Sequence, residues 1–353
     1  MEHRLAADLD HALACAAGSW EALRGQCVFI TGGTGFFGSW LVETFIWANE
    51  RLNLGASAVM LTRNPDRFRA ALPHLASHPA IRLHQGDIRS CEFPAGSFSH
   101  IIHAAGSPHG VVHDQDPQGL TDTLVDGTRR VLAFAKRSGV RRVLLVSSGA
   151  VYGAQPTDIE WMVDDAPRTA GATGYRAEYI EGKRAAEQLG IEAAREGALD
   201  VMIARCYSFL GPYQPLDSQW ASGNFVRDAL AGGPIRVTGD GTPVRSYLYA
   251  AELAAWLWAI VCRGRSGRAY NVGSERGVSV KALADVVASS AGQPELDVQV
   301  AREPVPGGAV RRYVPSTQRA RTELGLEQHI TLEQAVQRTL AWHRALRPLA
   351  PVG

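Results

Sequence analysis

The chain has no apolar run long enough to cross a membrane. Its longest, residues 253–261, falls far short of the ~20 residues a spanning helix needs. It also has little cysteine: Cys15, Cys27, Cys91, Cys206 and Cys262 are odd in number and contain no C-x-x-C. That argues against a disulfide framework or a cysteine zinc site and fits a reducing compartment. Charge of one sign is missing as well. The net charge is +1, with no basic run interleaved with aromatics, so nucleic acid is not an expected partner. Internal repeats and low-complexity segments are absent. Residues 11–18 faintly resemble a leader core, but Asp8 and Asp10 precede them and the apolar stretch is too short. An amphipathic helix over residues 4–16 and a cytoplasmic location are expected instead.

What is present is the composition of a packed protein, 46% hydrophobic and 20% charged. At 353 residues the chain exceeds what one hydrophobic core usually serves. From Gln26 onward, short apolar runs alternate with amphipathic stretches. Strands are expected at residues 27–31, 57–62, 81–84, 100–104, 142–147 and 200–205, with helices at 39–51, 121–138 and 178–196. Strands separated by helices imply right-handed crossovers and a parallel sheet buried on both faces. After Arg205 the turn signals Gly211-Pro212, Gly232-Gly-Pro234 and Gly239-Asp-Gly241 mark a change of texture. The expected architecture is α/β, a Rossmann-like doubly wound parallel sheet with a smaller C-terminal α/β substrate lobe. Residues 1–24 form a helical extension, docked by Trp20 and Leu23. Residues 25–205 form the dinucleotide domain, to which 245–275 return. Residues 206–244 and 276–345 form the lobe.

The strongest motif is Thr31-Gly-Gly-Thr-Gly-Phe-Phe-Gly38, directly after the first strand and opening a helix. Glycines there permit a tight turn and let peptide N–H groups approach a pyrophosphate, which also meets the positive end of the helix. The second strand ends Val59-Met-Leu-Thr-Arg-Asn64, without the carboxylate that would take a ribose 2′-hydroxyl. Arg63 stands there instead, a partner for a 2′-phosphate, which favours NADP over NAD. Asp87, after the third strand, is placed to accept from an adenine amino group, or else simply shapes a strand-end turn.

Ser147-Ser-Gly-Ala-Val-Tyr-Gly153 ends the fifth strand, and Tyr179-Ile-Glu-Gly-Lys183 follows on a helix. Tyr179 and Lys183 share a helix face. An ammonium beside a phenol favours the phenolate, which suits Tyr179 as an acid/base. Ser148, at the C-terminal edge of the sheet, is placed to orient a substrate oxygen. The pair His109 and His113 has helical zinc spacing, but a glycine interrupts it and no third ligand is near, so no metal site is read.

This order of motifs resembles the extended short-chain dehydrogenase/reductase family, specifically its nucleotide-sugar epimerases and dehydratases. The resemblance runs over roughly residues 24–345. It extends to Gly86-Asp87-Ile88, His103-Ala-Ala105, Val125-Asp-Gly-Thr128, Arg205-Cys-Tyr-Ser-Phe-Leu-Gly-Pro212, Asn224-Phe-Val226, Arg245-Ser-Tyr-Leu-Tyr249 and Tyr270-Asn-Val-Gly-Ser274. It implies catalysis by Ser148, Tyr179 and Lys183. It implies cofactor contacts at Gly32, Gly35, Phe36, Phe37, Gly38, Arg63, Asp87, Ile88, Ala104, Ala105, Tyr179 and Lys183. Substrate contacts are implied at Ser107, Ser148, Ser208, Asn224 and Arg245, with Arg245 on a nucleotide diphosphate. A homodimer through the helices 121–138 and 178–196 is implied too.

The departures narrow the chemistry. Related dehydratases carry Asp-Glu directly after the strand-end hydroxyl, and related decarboxylases a glutamate two residues after it. Here those positions are Gly149 and Ala150, which move no proton. Leu124 and Ser208 replace two asparagines of the family pattern. The expectation is therefore hydride transfer at sugar C4, as a 4-epimerase or 4-keto reductase, on a nucleotide-diphosphate sugar. A 4,6-dehydratase with a rearranged acid/base pair is the alternative, with His109 and His113 as replacement candidates. A non-catalytic dinucleotide sensor and a reductase of non-sugar carbonyls are readings of other classes.

Overall fold

The computed structural model describes residues 3–106, 117–169, 177–293 and 296–346. The chain opens with α1 (Ala6–Cys15), β1 (Cys27–Thr31), α2 (Phe36–Arg51), β2 (Ser57–Thr62), α3 (Pro65–Ala71), α4 (Pro73–Ala76), β3 (Ile81–Gln85) and β4 (His100–His103). It continues with α5 (Pro117–Arg137), β5 (Arg142–Ser148), α6 (Ala177–Arg195), β6 (Asp200–Cys206), β7 (Phe209–Leu210), α7 (Ala221–Leu230) and β8 (Ile235–Val237). Next come β9 (Val244–Ser246), β10 (Leu248–Tyr249), α8 (Ala250–Arg263), β11 (Ala269–Val272), β12 (Gly277–Ser279) and α9 (Val280–Ser290). The last elements are β13 (Val298–Val300), β14 (Arg312–Tyr313), α10 (Gln318–Leu324) and α11 (Leu332–Leu346).

Seven strands form one parallel sheet in the order β3-β2-β1-β4-β5-β6-β11. The order reverses between β1 and β4, and the crevice for a ligand of such a sheet opens at that switch point. The sheet strands are nearly continuous apolar runs because helices cover both faces: in β1, residues Val28 to Ile30 are wholly buried. The doubly wound α/β architecture expected from the alternation of runs is the one observed. The rest of the chain adds small sheets: β7 with β10, β8 with β13, and β12-β9-β14.

Helix α8 explains the longest apolar run. Its residues from Ala250 to Cys262 are all buried, so it is apolar on every side. The sheet lies against one side, while α1, α2 and the turn at Trp20–Leu23 lie against the others. Trp20 meets Trp258 at 5.9 Å and donates its indole N–H to the Leu13 carbonyl at 3.0 Å. Among the described residues, no helix is long and apolar enough to cross a membrane.

Candidate active site

The glycine loop is built by exclusion of side chains. A Cβ on Gly32, whose φ is +71°, would stand 2.6 Å from the Ala104 carbonyl, so β1 and β4 end close together only with glycine there. A Cβ on Gly38 would stand 2.3 Å from the Gly33 backbone, which lets the loop fold onto the first turn of α2. Gly35 is the N-cap and brings no side chain to cap the helix. The first helical bond is Ser39 N–H to Gly35 O at 2.8 Å, so the N–H groups of Phe36, Phe37 and Gly38 have no helical acceptor. An uncapped helix start beside a glycine turn fits a pyrophosphate. The Phe36 ring is buried and packs on Phe37, which in turn packs on Phe209.

The other positions read as cofactor contacts line the same edge. Ala104 and Ala105 follow β4, and the Ala105 N–H donates to Thr31 Oγ1 at 3.2 Å. Asp87 holds Arg89 through both carboxylate oxygens at 3.0 and 2.8 Å. Arg89, with a smaller contribution from nearby Arg63, keeps the Asp87 carboxyl below its usual range. Arg63 is exposed just past β2. Ile88 is buried, and its side chain faces Gly127 of α5 while Arg130 takes its carbonyl at 3.0 Å.

Tyr179 and Lys183 lie in the first two turns of α6, with Lys183 Nζ 5.8 Å from the Tyr179 ring centroid. Lys183 is buried and donates to the Val146 carbonyl on β5 at 2.7 Å. Burial lowers its pKa to about 8. Its ammonium retains two further N–H donors. Leu124, one of the departures, fills the space between Gly106 and Gly182: a Cβ on either glycine would stand within 2.8 Å of it. It thereby packs α5 against α6 beside Lys183.

Behind this helix lies a buried polar network. Glu187 accepts from Ser147 Oγ at 2.5 Å, from Arg205 Nη2 at 2.8 Å and from Arg168 at 2.6 Å. Arg205 also donates to Tyr152 Oη at 2.8 Å, and Tyr152 donates to Asn271 Oδ1 at 2.9 Å. The network locks β5, α6, β6 and β11 together under the site.

Ser148 Oγ is 3.4 Å from the Tyr313 hydroxyl. Tyr313 lies under the Arg245 guanidinium at 5.8 Å, and the two residues are register partners across β14 and β9. The Tyr313 ring therefore joins Ser148 to the proposed diphosphate-binding residue, a connection the sequence reading missed. Its only trace is the segment Arg311-Arg312-Tyr313, and nothing local marks it as facing the sheet edge. Asn224 on α7 accepts from Arg227 at 3.3 Å, and Ser208 is half-buried between β6 and β7. Ser107, His109 and His113 lie outside the described residues.

Gly149 is the decisive position at the end of β5. A Cβ there would stand 2.5 Å from Cε2 and Cζ of Tyr207. The Tyr207 ring, tilted against Tyr313 at 4.4 Å between centroids, fills the space a side chain at 149 would need. Its hydroxyl is buried with no hydrogen-bond partner among the described residues, and burial pushes its pKa well up.

A family model described as the NAD dependent epimerase/dehydratase family matches residues 28–273. The chain belongs to this family. Members similar to it include the dTDP-glucose 4,6-dehydratase of Streptomyces griseus, 28% identical over 338 residues, covering 92% of this chain and 98% of that one. UDP-glucuronic acid decarboxylase 6 of Arabidopsis thaliana is 28% identical over 313 residues, covering 88% and 86%. The dTDP-glucose 4,6-dehydratase of Streptomyces venezuelae, solved with NAD bound, superposes with a TM-score of 0.74 at 25% identity, over 91% and 98% of the two chains. The preference for NADP drawn from Arg63 finds no support in these relatives.

Proposed function

We propose that this member is an NAD-dependent nucleotide-sugar enzyme working at sugar C4, as a 4-epimerase or a 4-keto reductase. The observation that carries the reading is the Tyr207 ring occupying the space at Gly149. The usual acids at positions 149 and 150 are missing, and the space at 149 is filled. Chemistry at C4 needs no such acid. Tyr179 would hold or release the proton at the C4 oxygen, Ser148 would orient that oxygen, and Lys183 would keep positive charge beside the phenol. The dinucleotide, when bound, supplies a hydride acceptor and donor. Its pyrophosphate would rest on the N–H groups of Phe36, Phe37 and Gly38. Arg245 and the Tyr313 ring would face the nucleotide diphosphate and sugar.

NAD is proposed as the resident dinucleotide, the one named with the Streptomyces venezuelae structure. We also propose a homodimer through α5 and α6, to be checked by its mass in light scattering. The second reading, 4,6-dehydration with an acid from elsewhere, is favoured by the Streptomyces griseus relative.

A product assay on nucleotide-hexoses and their 4-keto-6-deoxy forms separates the readings. The expected outcome is an isobaric product inverted at C4, or reduction of the keto sugar. Tyr179→Phe is expected to slow it on the order of 10²-fold or more. Loss of one water from a plain nucleotide-hexose would establish the dehydratase reading instead.

A further inference from the structure

Away from the sheet edge, two helices bring a histidine, a cysteine and a buried glutamate together. His11 and Cys15 stand one turn apart on α1, and Glu252 lies in the first turn of α8. His11 Nε2 is 3.3 Å from Cys15 Sγ and 3.2 Å from Glu252 Oε1. One donor atom from each residue falls within 4.8 Å of the other two. Zinc bonds of about 2.0–2.1 Å to nitrogen, 2.3 Å to sulfur and 2.0–2.2 Å to carboxylate oxygen set the comparison. In a tetrahedron they separate nitrogen from sulfur by about 3.5 Å and nitrogen from oxygen by about 3.4 Å. The observed spacings differ from these by a few tenths of an ångström.

A second observation is independent of this spacing. Glu252 is wholly buried, and its Oε1 also accepts the backbone N–H groups of His329 at 2.6 Å and Ile330 at 3.0 Å. Its Oε2 is buried with no hydrogen-bond partner among the described residues. A carboxylate oxygen left in that condition is costly and calls for a ligand.

We propose that His11, Cys15 and Glu252 bind a zinc-class divalent cation, with water in the fourth position, and that this ion fastens α1 to α8. Thiolate, imidazole and carboxylate donors together suit zinc and disfavour magnesium or calcium. Cysteine spacing along the chain does not reveal the site, because its third ligand comes from a helix far along the sequence. A second cluster, His3, Glu43 and His74, differs: Tyr213 and both imidazoles occupy the Glu43 oxygens, and it serves as a control.

The test is titration of chelator-treated full-length protein with Co²⁺, followed by displacement with Zn²⁺. One equivalent should give tetrahedral ligand-field bands and a thiolate charge-transfer band. Both should be lost in Cys15→Ser and weakened in His11→Gln, while His74→Ala keeps them. Zn²⁺ should raise the unfolding temperature of the wild type and not of Cys15→Ser. Should Cys15→Ser fail to fold, Zn²⁺ should still slow alkylation of Cys15 in the wild type, on the order of tenfold. A wild type without the tetrahedral Co²⁺ spectrum, a spectrum that persists in Cys15→Ser, or an alkylation rate indifferent to Zn²⁺ overturns the proposal.

Discussion

At the scale of single residues, His103 shows how a site-edge side chain sets a pH limit. Its Nδ1 meets Thr31 Oγ1 at 2.7 Å and its Nε2 meets Thr128 Oγ1 at 3.1 Å, tying β1, β4 and α5 together. Burial lowers its pKa to about 3, with the Lys183 charge acting in the same direction. The unfolded chain protonates this imidazole near pH 6.5, whereas the folded one keeps it neutral down to about 3. Between those values the unfolded state binds the extra proton, so stability falls as the pH falls. From pH 7.5 to pH 5, His103 alone should cost on the order of 2 kcal/mol. Buried His100, lowered to about 4, adds to the loss in the same direction. Urea unfolding of the wild type and His103→Gln at the two pH values checks this. An equal acid slope in both proteins would defeat it.

At the scale of elements, the arrangement of β5, α6 and β6 depends on one buried ion pair. Glu187 and Arg205 are both buried; Ser147 and Arg168 also bond Glu187, and Tyr152 and the Asp164 carbonyl also bond Arg205. Removing one partner strands the other charge, so Glu187→Ala should lower stability by about 3–5 kcal/mol. A shift in the urea midpoint corresponding to less than about 1 kcal/mol would show the pair to be dispensable. The same elements show what was legible in the sequence. Strands β1, β2 and β5 are local apolar runs, and Tyr179 with Lys183 needs only helical periodicity, so both could be read along the chain. The glycine loop was legible because its spacing, directly after a strand and opening a helix, is local in sequence; the contact of Gly32 with Ala104 that requires it was not. Tyr313 beside Ser148 was not, because that contact depends on the register of β14 on β9. The filling of the space at Gly149 by Tyr207 was equally hidden, for it depends on how β5 and β6 end side by side. Gly149 and Ala150 announced the missing acids in the sequence; only packing announced what fills the space at 149.

At the scale of the whole molecule, residues 3–24 close the structure. Leu5, Leu9, Ala12, Ala16, Trp20 and Leu23 are all buried in the same core as α8. Asp8 accepts from the Tyr249 hydroxyl at 2.7 Å, just before α8, and also pairs with Arg338 on α11. The extension therefore holds the sheet side of the molecule to its C-terminal helix, which explains how α8 can be apolar on every face. Without that cover, α8 would present its indoles and leucines to water. The contribution of one buried leucine gives the scale of this. Leu9→Ala removes side-chain volume from a site 1% exposed and should lower stability by about 2–5 kcal/mol, the wide range reflecting how far the seam can collapse. The unfolding midpoint in urea measures it, compared with Leu52→Ala on the exposed end of α2, expected to change stability by less than about 0.5 kcal/mol. If the two substitutions cost the same, α1 is not part of the cooperative core, and the apolar face of α8 must be covered in some other way.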